Sequence, residues 1–203
     1  MNIPPLLRRL IAGTATLSVL PAVAAFLCKR LLLEDTTAIS GTSEAASRWA
    51  GTTGILRRRA LYGLLLQGTG EKLSVGFGTV FSTTEVWFGD RVYMGQHCSL
   101  GHVRIHDEAM IADHVVIPSG TRQHGTARLD VPMRLQPGEL RTVSIGRDCW
   151  VGSGGVVLAD VGDHSIVAAG AVVTGAVPPE VIVAGVPARV VSVRKGSREA
   201  GRS

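Results

Sequence analysis

The residues of this chain best equipped for chemistry gather in one polar stretch. Between about Pro118 and Thr142 lie Arg122, Gln123, His124, Asp130, Arg134 and Glu139, in a segment that breaks an otherwise regular rhythm of aliphatic residues. Long excursions from a rigid scaffold are where binding and catalytic groups collect, because the scaffold's own side chains are occupied by packing. His124 is the leading candidate, since imidazole titrates at about pH 6.5 and can take a proton near neutrality. His97 and His102, four residues apart between them, raise the possibility of a metal. Zinc chemistry needs a third protein ligand, and no histidine precedes His97. Cys28, Cys98 and Cys149 form no C-x-x-C pair and no even disulfide framework, which fits a reducing compartment. No Ser-His-Asp or Cys-His order is evident, so a covalent enzyme intermediate is not expected.

The element that must position this loop is a repeat. From Val143 to Val191 the chain advances in sixes, with Ile145, Val151, Val157, Val167 and Val173 separated by Gly, Ala or Ser. The same step joins Val75 to Phe81, Phe88 to Met94 to Leu100, and Ile105 to Ile111 to Ile117. A period of six suits one face of a triangular coil, the hexapeptide parallel β-helix. Ordinary strands alternate with period two and do not keep phase across turns. A seven-residue step near Trp87, a five-residue step from Leu100 to Ile105 and a ten-residue interval from Val157 to Val167 predict bulges or shortened corners. With 203 residues, 45% hydrophobic, 25 glycines and only 4% aromatic content, composition agrees with a narrow coil of small and branched side chains plus an appendage. Cys98 and Cys149 each precede an inward position by two residues and read as packing groups.

Residues 1–70 stand apart from the repeat, residues 71–193 carry it with the loop 118–142, and 194–203 form a basic tail. Residues 10–28 are uncharged and largely apolar, flanked by Arg8 and Arg9 and by Lys29 and Arg30. Such a stretch spans a bilayer only marginally, and Thr14, Thr16, Ser18 and Pro21 weaken it. A monotopic or re-entrant membrane helix, a helix packed on the protein's own body and a cleaved signal peptide all remain open. Glu34–Trp49 turns polar, and Ile55–Leu66 reads as a short helix whose Arg57, Arg58 and Arg59 form either an interfacial pattern or a solvated face. The net charge of +5 favours anionic lipid or ligand phosphate; no aromatic–basic interleaving accompanies it, so nucleic acid is not expected.

The run V-S-I-G-R-D-C-W-V-G, then G-A-V-V-T and V-P-P-E-V-I-V-A-G-V-P-A-R-V-V, resembles the closing coils of hexapeptide-repeat O-acetyltransferases such as the maltose, galactoside and exopolysaccharide enzymes. The resemblance covers roughly Val75–Val193 and is strongest after Val143. It implies a mainly β fold, a left-handed parallel β-helix, assembled as a homotrimer, with acetyl-CoA as co-substrate in a cleft between neighbouring coils. It implies His124 as general base and Trp150 as a wall of the active site. It also implies Thr174 on the CoA-binding coil and Arg189 near the nucleotide phosphates. Gly152, Ser153 and Ala169 join the CoA-binding set, with N–H groups around Gly152 and Ser153 stabilising an oxyanion; His97 and Arg122 join the acceptor set. Where many relatives continue with Lys-Asp, this chain has Gly175 and Ala176, so that part of the phosphate contact is either absent or supplied by Arg194 or Lys195. The expected activity is transfer of acetyl to a hydroxyl of a sugar or cell-envelope glycan in the cytoplasm, peripheral to the inner membrane face. Two other classes compete: a β-helical zinc enzyme of carbonic anhydrase type, and a noncatalytic trimeric scaffold.

Overall fold

A computed structural model describes residues 4–194; Lys195 and the rest of the basic tail lie outside the described residues. Three helices, α1 (Pro5–Leu32), α2 (Asp35–Ser47) and α3 (Gly51–Leu65), precede the solenoid. The polar stretch Glu34–Trp49 carries α2, and the third helix begins at Gly51 rather than Ile55. Sequence polarity hid α2 because Thr42, Ser43 and Ser47 face the core, where their hydroxyls are bonded: Thr42 donates to the Ala38 carbonyl and Ser47 to that of Glu44, both at 2.8 Å.

Each coil then lays one short strand on each of three faces. The first coil is β1 (Gly68–Thr69), β2 (Ser74–Val75) and β3 (Val80–Phe81); the second is β4 (Val86–Phe88), β5 (Tyr93–Met94) and β6 (Ser99–Leu100). The third is β7 (Val103–Ile105), β8 (Met110–Ile111) and β9 (Val116–Ile117); the fourth is β10 (Val143–Ile145), β11 (Trp150–Val151) and β12 (Val156–Val157). The chain closes with β13 (Ile166–Val167), β14 (Val172–Val173), β15 (Val181–Ala184) and β16 (Arg189–Val193), the last antiparallel to β15. All other strand pairings are parallel, in the orders β1-β4-β7-β10, β2-β5-β8-β11-β13-β15 and β3-β6-β9-β12-β14.

The sixfold ladder is the core. Register stacks Phe88, Ile105, Ile145, Val161 and Val177 on the first face, and Val75, Met94, Ile111, Val151, Val167 and Val183 on the second. Phe81, Leu100, Ile117, Val157 and Val173 line the third. The ten-residue interval is a compressed corner: Val161 takes the first-face position soon after Val157, bridging Ile145 and Val177. Cys98 and Cys149 are buried, and burial pushes the Cys149 thiol up to about 11, which suits packing rather than nucleophilic chemistry.

The helices close the open end of the prism. Ser43 accepts the Phe81 N–H at 2.9 Å and bonds the Tyr62 hydroxyl at 3.1 Å, and Tyr62 meets Phe81 edge-on at 4.6 Å between ring centroids. Arg58 is fully buried, contrary to a solvated or interfacial reading of the arginine run. Its guanidinium donates to the carbonyls of Val75 at 2.9 Å, of Ala46 and of Trp49, clipping the C-terminal end of α2 to the first coil. Arg57 stacks over Trp49 at 4.0 Å, and only Arg59 is exposed. α1 packs along α3 through one seam, Ile11, Ala15, Val19, Ala22 and Phe26, and leaves Leu10, Leu17, Leu20, Leu27 and Leu31 in solvent.

Candidate functional site

The loop expected to carry chemistry leaves the solenoid at the vertex between the third and first faces, after β9, and re-enters at β10. Its two legs run side by side: the Glu139 N–H donates to the Arg122 carbonyl at 2.7 Å and the Arg141 N–H to that of Ser119 at 2.9 Å. Glycines make the contact possible. A Cβ on Gly138 would overlap the Gln123 carbonyl and come within 2.7 Å of the His124 backbone nitrogen, and one on Gly125 would lie 2.6 Å from the Pro137 carbonyl oxygen. Gln136 is buried beneath the outer leg; its amide donates to the carbonyls of Arg128 at 2.7 Å and Val131 at 2.8 Å and accepts the Arg128 N–H at 3.1 Å. The backbone on both sides of His124 is thus fixed while its side chain stays exposed. Asp130 is engaged by the Arg128 guanidinium, which holds its carboxyl below the usual range. Glu139 lies on the facing leg of the loop, its backbone N–H on the Arg122 carbonyl. Arg122 is exposed on the same leg as His124.

Beside this loop, α2 overhangs the vertex and encloses a cleft of about 530 Å³. Thr37, Ser40 and Glu44 form its helical wall, Ser82 and Thr83 its near corner, and Ser119 and Gln123 the root of the loop. His102 also lines it, its N–H donating to the Ser119 hydroxyl at 2.9 Å. The five-residue step from Leu100 to Ile105 shortens the corner and turns His102 under α2. The one signal for it was that shortened step, and the α2 contributors had none, because a polar helix does not advertise which face is covered.

Residues at the other vertices fall into separate groups. His97 sits with φ 54° at the vertex between the second and third faces, stacked on His114 at 5.2 Å and edge-on to Phe77 at 5.7 Å. It stands a full face away from His102, so the two histidines do not converge on one metal position. No metal-binding group of three ligands occurs among the described residues. Trp150 points outward from the second face between Met110 and Ile166, half exposed. Gly152, Ser153 and Ala169 do come together at the vertex that follows, on consecutive coils, where the Gly170 N–H reaches the Ser153 carbonyl at 2.9 Å. The Gly152 N–H already donates to the Val167 carbonyl at 2.8 Å and is therefore not free to stabilise an oxyanion. Thr174 lies exposed at the next vertex, and Arg189 is exposed on β16. Arg194 is not free for a phosphate: it pairs with the Asp148 carboxylate at 3.0 Å and donates to the carbonyls of Asp148 and His164.

A parallel β-helix stepped in sixes, with one long polar loop beside a hydroxyl-lined cleft, defines a hexapeptide-repeat protein. No family model matches the chain. Over 92 residues it is 37% identical to the galactoside O-acetyltransferase of Escherichia coli K12, covering 44% of this chain and 43% of that protein. Over 134 residues it is 31% identical to a putative lipopolysaccharide biosynthesis O-acetyltransferase of the same organism, covering 61% of this chain and 66% of that one. The chain thus spans between two fifths and two thirds of the length of these relatives. A hexapeptide-repeat acetyltransferase of Vibrio cholerae, solved with acetyl-CoA, superposes with a TM-score of 0.68 at 23% identity over 81% of this chain and 90% of that one, a likeness of fold. The chain belongs to the hexapeptide-repeat acetyltransferase family.

Proposed function

We propose that this chain transfers an acetyl group from acetyl-CoA to a hydroxyl of a sugar or cell-envelope glycan, with His124 as general base. The observation that carries the reading is the pinned loop: a solvent-facing imidazole on a backbone locked from both sides, one residue beyond Gln123 in the wall of a cleft lined by hydroxyls, an amide and one carboxylate. Such a lining suits a polyhydroxylated acceptor. His124 removes the acceptor proton as the oxygen attacks the thioester carbonyl; collapse of the tetrahedral adduct expels the CoA thiolate, which takes that proton from the imidazolium. Donor binding is assigned to Gly152, Ser153 and Ala169, with Thr174 and Arg189 further along the closing coils; Trp150, as a wall of the active site, joins His97 and Arg122 in the acceptor set.

The assembly is a homotrimer. Tyr93, Met110 and Trp150 form an outward apolar stripe on the second face, each about half exposed, of the kind a second copy covers. The protein acts at the inner face of the cytoplasmic membrane. Arg9–Leu32 is long and apolar enough to cross a membrane, yet it is seamed lengthwise to α3, an arrangement that suits a helix lying in the interface with its free leucines in lipid. The test is a screen of sugar and glycan acceptors by thiol release from acetyl-CoA, with and without membranes. His124→Ala is expected to lower turnover by about 10² to 10⁴ with unchanged folding; a variant near wild-type rate removes His124 from the reaction, and indifference to membranes removes the envelope acceptor.

A further inference from the structure

A second, larger cleft lies at the other side of the helical cap. It measures about 1380 Å³ and is walled by α1, α3 and the turn between β1 and β2, at the vertex joining the first and second faces, away from the His102 cleft. Its lining divides by chemistry. Ala12 and Ala15 on α1 face Leu56, Ala60 and Leu64 on α3, giving a smooth apolar trough, while Arg9, Arg59 and Lys72 bring three cations to its edge. None of these three is ion-paired among the described residues. Two carboxylates, Glu71 and Asp90, share the edge, but Asp90 already accepts the Glu71 N–H at 2.7 Å and stands 3.8 Å from Arg91. The trough opens beside the free leucines of α1 and Leu64, itself 52% exposed.

We propose that this cleft binds one anionic phospholipid, its headgroup phosphate held by Arg9, Arg59 and Lys72 and its first acyl chain laid in the alanine and leucine trough. Cations alone would take any phosphate, and an apolar trough alone any chain; the two in one cleft, continuous with a leucine face, select a ligand that carries both. The site would orient the enzyme on the bilayer. This inference rests on the membrane reading above.

The experiment uses the full chain with vesicles of phosphatidylcholine alone and of phosphatidylcholine mixed with phosphatidylglycerol. The wild type is expected to bind both and to favour the mixed vesicles by about tenfold or more, the preference shrinking with salt. R59Q/K72Q is expected to lose the preference while still binding both, and A60W, which fills the trough without touching a charge, to lose it too. Soluble glycerophosphoglycerol is expected not to compete; full competition would mean a site for free phosphate esters and overturn the lipid assignment. Equal wild-type binding to the two vesicles, or a preference surviving in both variants, overturns the site and leaves membrane attachment standing. Failure of the wild type to bind either vesicle sinks the membrane reading itself.

Discussion

Whether an imidazole can work as a base depends on where its backbone is held, and at His124 that task falls on a residue with no reactive group. Gly138 lies so close to Gln123 that any side chain would push the legs of the loop apart. Gly138→Ala is therefore expected to reduce kcat/KM by about tenfold to a hundredfold while the melting temperature barely moves, because misplacement of a catalytic group by an ångström is costly to rate. Turnover and melting curves measured on the same preparation check it; an unchanged rate would mean that the loop's conformation is set elsewhere. At this scale the sequence points to candidates by their chemistry and is silent on the residues that position them. His124 stood out by type and by its place in the polar break. Gln136, Gly125 and His102 did not, since their roles arise from contacts between segments that only folding brings together. Arg194 shows the converse: a tail arginine that reads as a phosphate ligand is consumed by Asp148 and two carbonyls.

Among the elements, the solenoid was readable almost to the residue, because its period repeats and each inward aliphatic stacks on its counterpart one coil away. The helices were not, since their packing uses hydroxyls and a buried cation that sequence patterning assigns to solvent. Arg58 is the clearest case. Burial lowers the affinity of its guanidinium for the proton, yet it stays bonded to three carbonyls from two elements. Arg58→Met keeps the stem and removes those donors, leaving the α2 terminus and Val75 with unmatched acceptors. A loss of about 2 to 4 kcal/mol in urea unfolding is expected, whereas Arg59→Met, on the exposed side of the same helix, should change stability by less than about 0.5 kcal/mol. Equal effects of the two substitutions would show that Arg58 does not hold the cap to the first coil.

For the whole molecule the decisive fact is that the proposed base and the tryptophan proposed to wall the active site do not share a side of the coil. The loop bearing His124 projects from the vertex between the third and first faces, and in a triangular prism that vertex lies opposite the second face, from which Trp150 points outward. Within one chain the β-helix core stands between them. In the homotrimer proposed above, a site using both groups draws its imidazole from one copy and its tryptophan from another, and the apolar stripe of Tyr93, Met110 and Trp150 gains a partner. The consequence is measurable by complementation. His124→Ala and Trp150→Ala, each impaired alone, are mixed under conditions that let subunits exchange; in a cyclic trimer assembled at random, about one quarter of the sites receive an intact residue from each neighbour. Thiol release from acetyl-CoA should recover to about that fraction of the wild-type rate. If the mixture shows only the average of the two variants, both groups act within one chain, and the two-copy site is wrong. If Trp150→Ala alone retains the full rate, Trp150 is no part of the active-site wall, and the stripe serves assembly only.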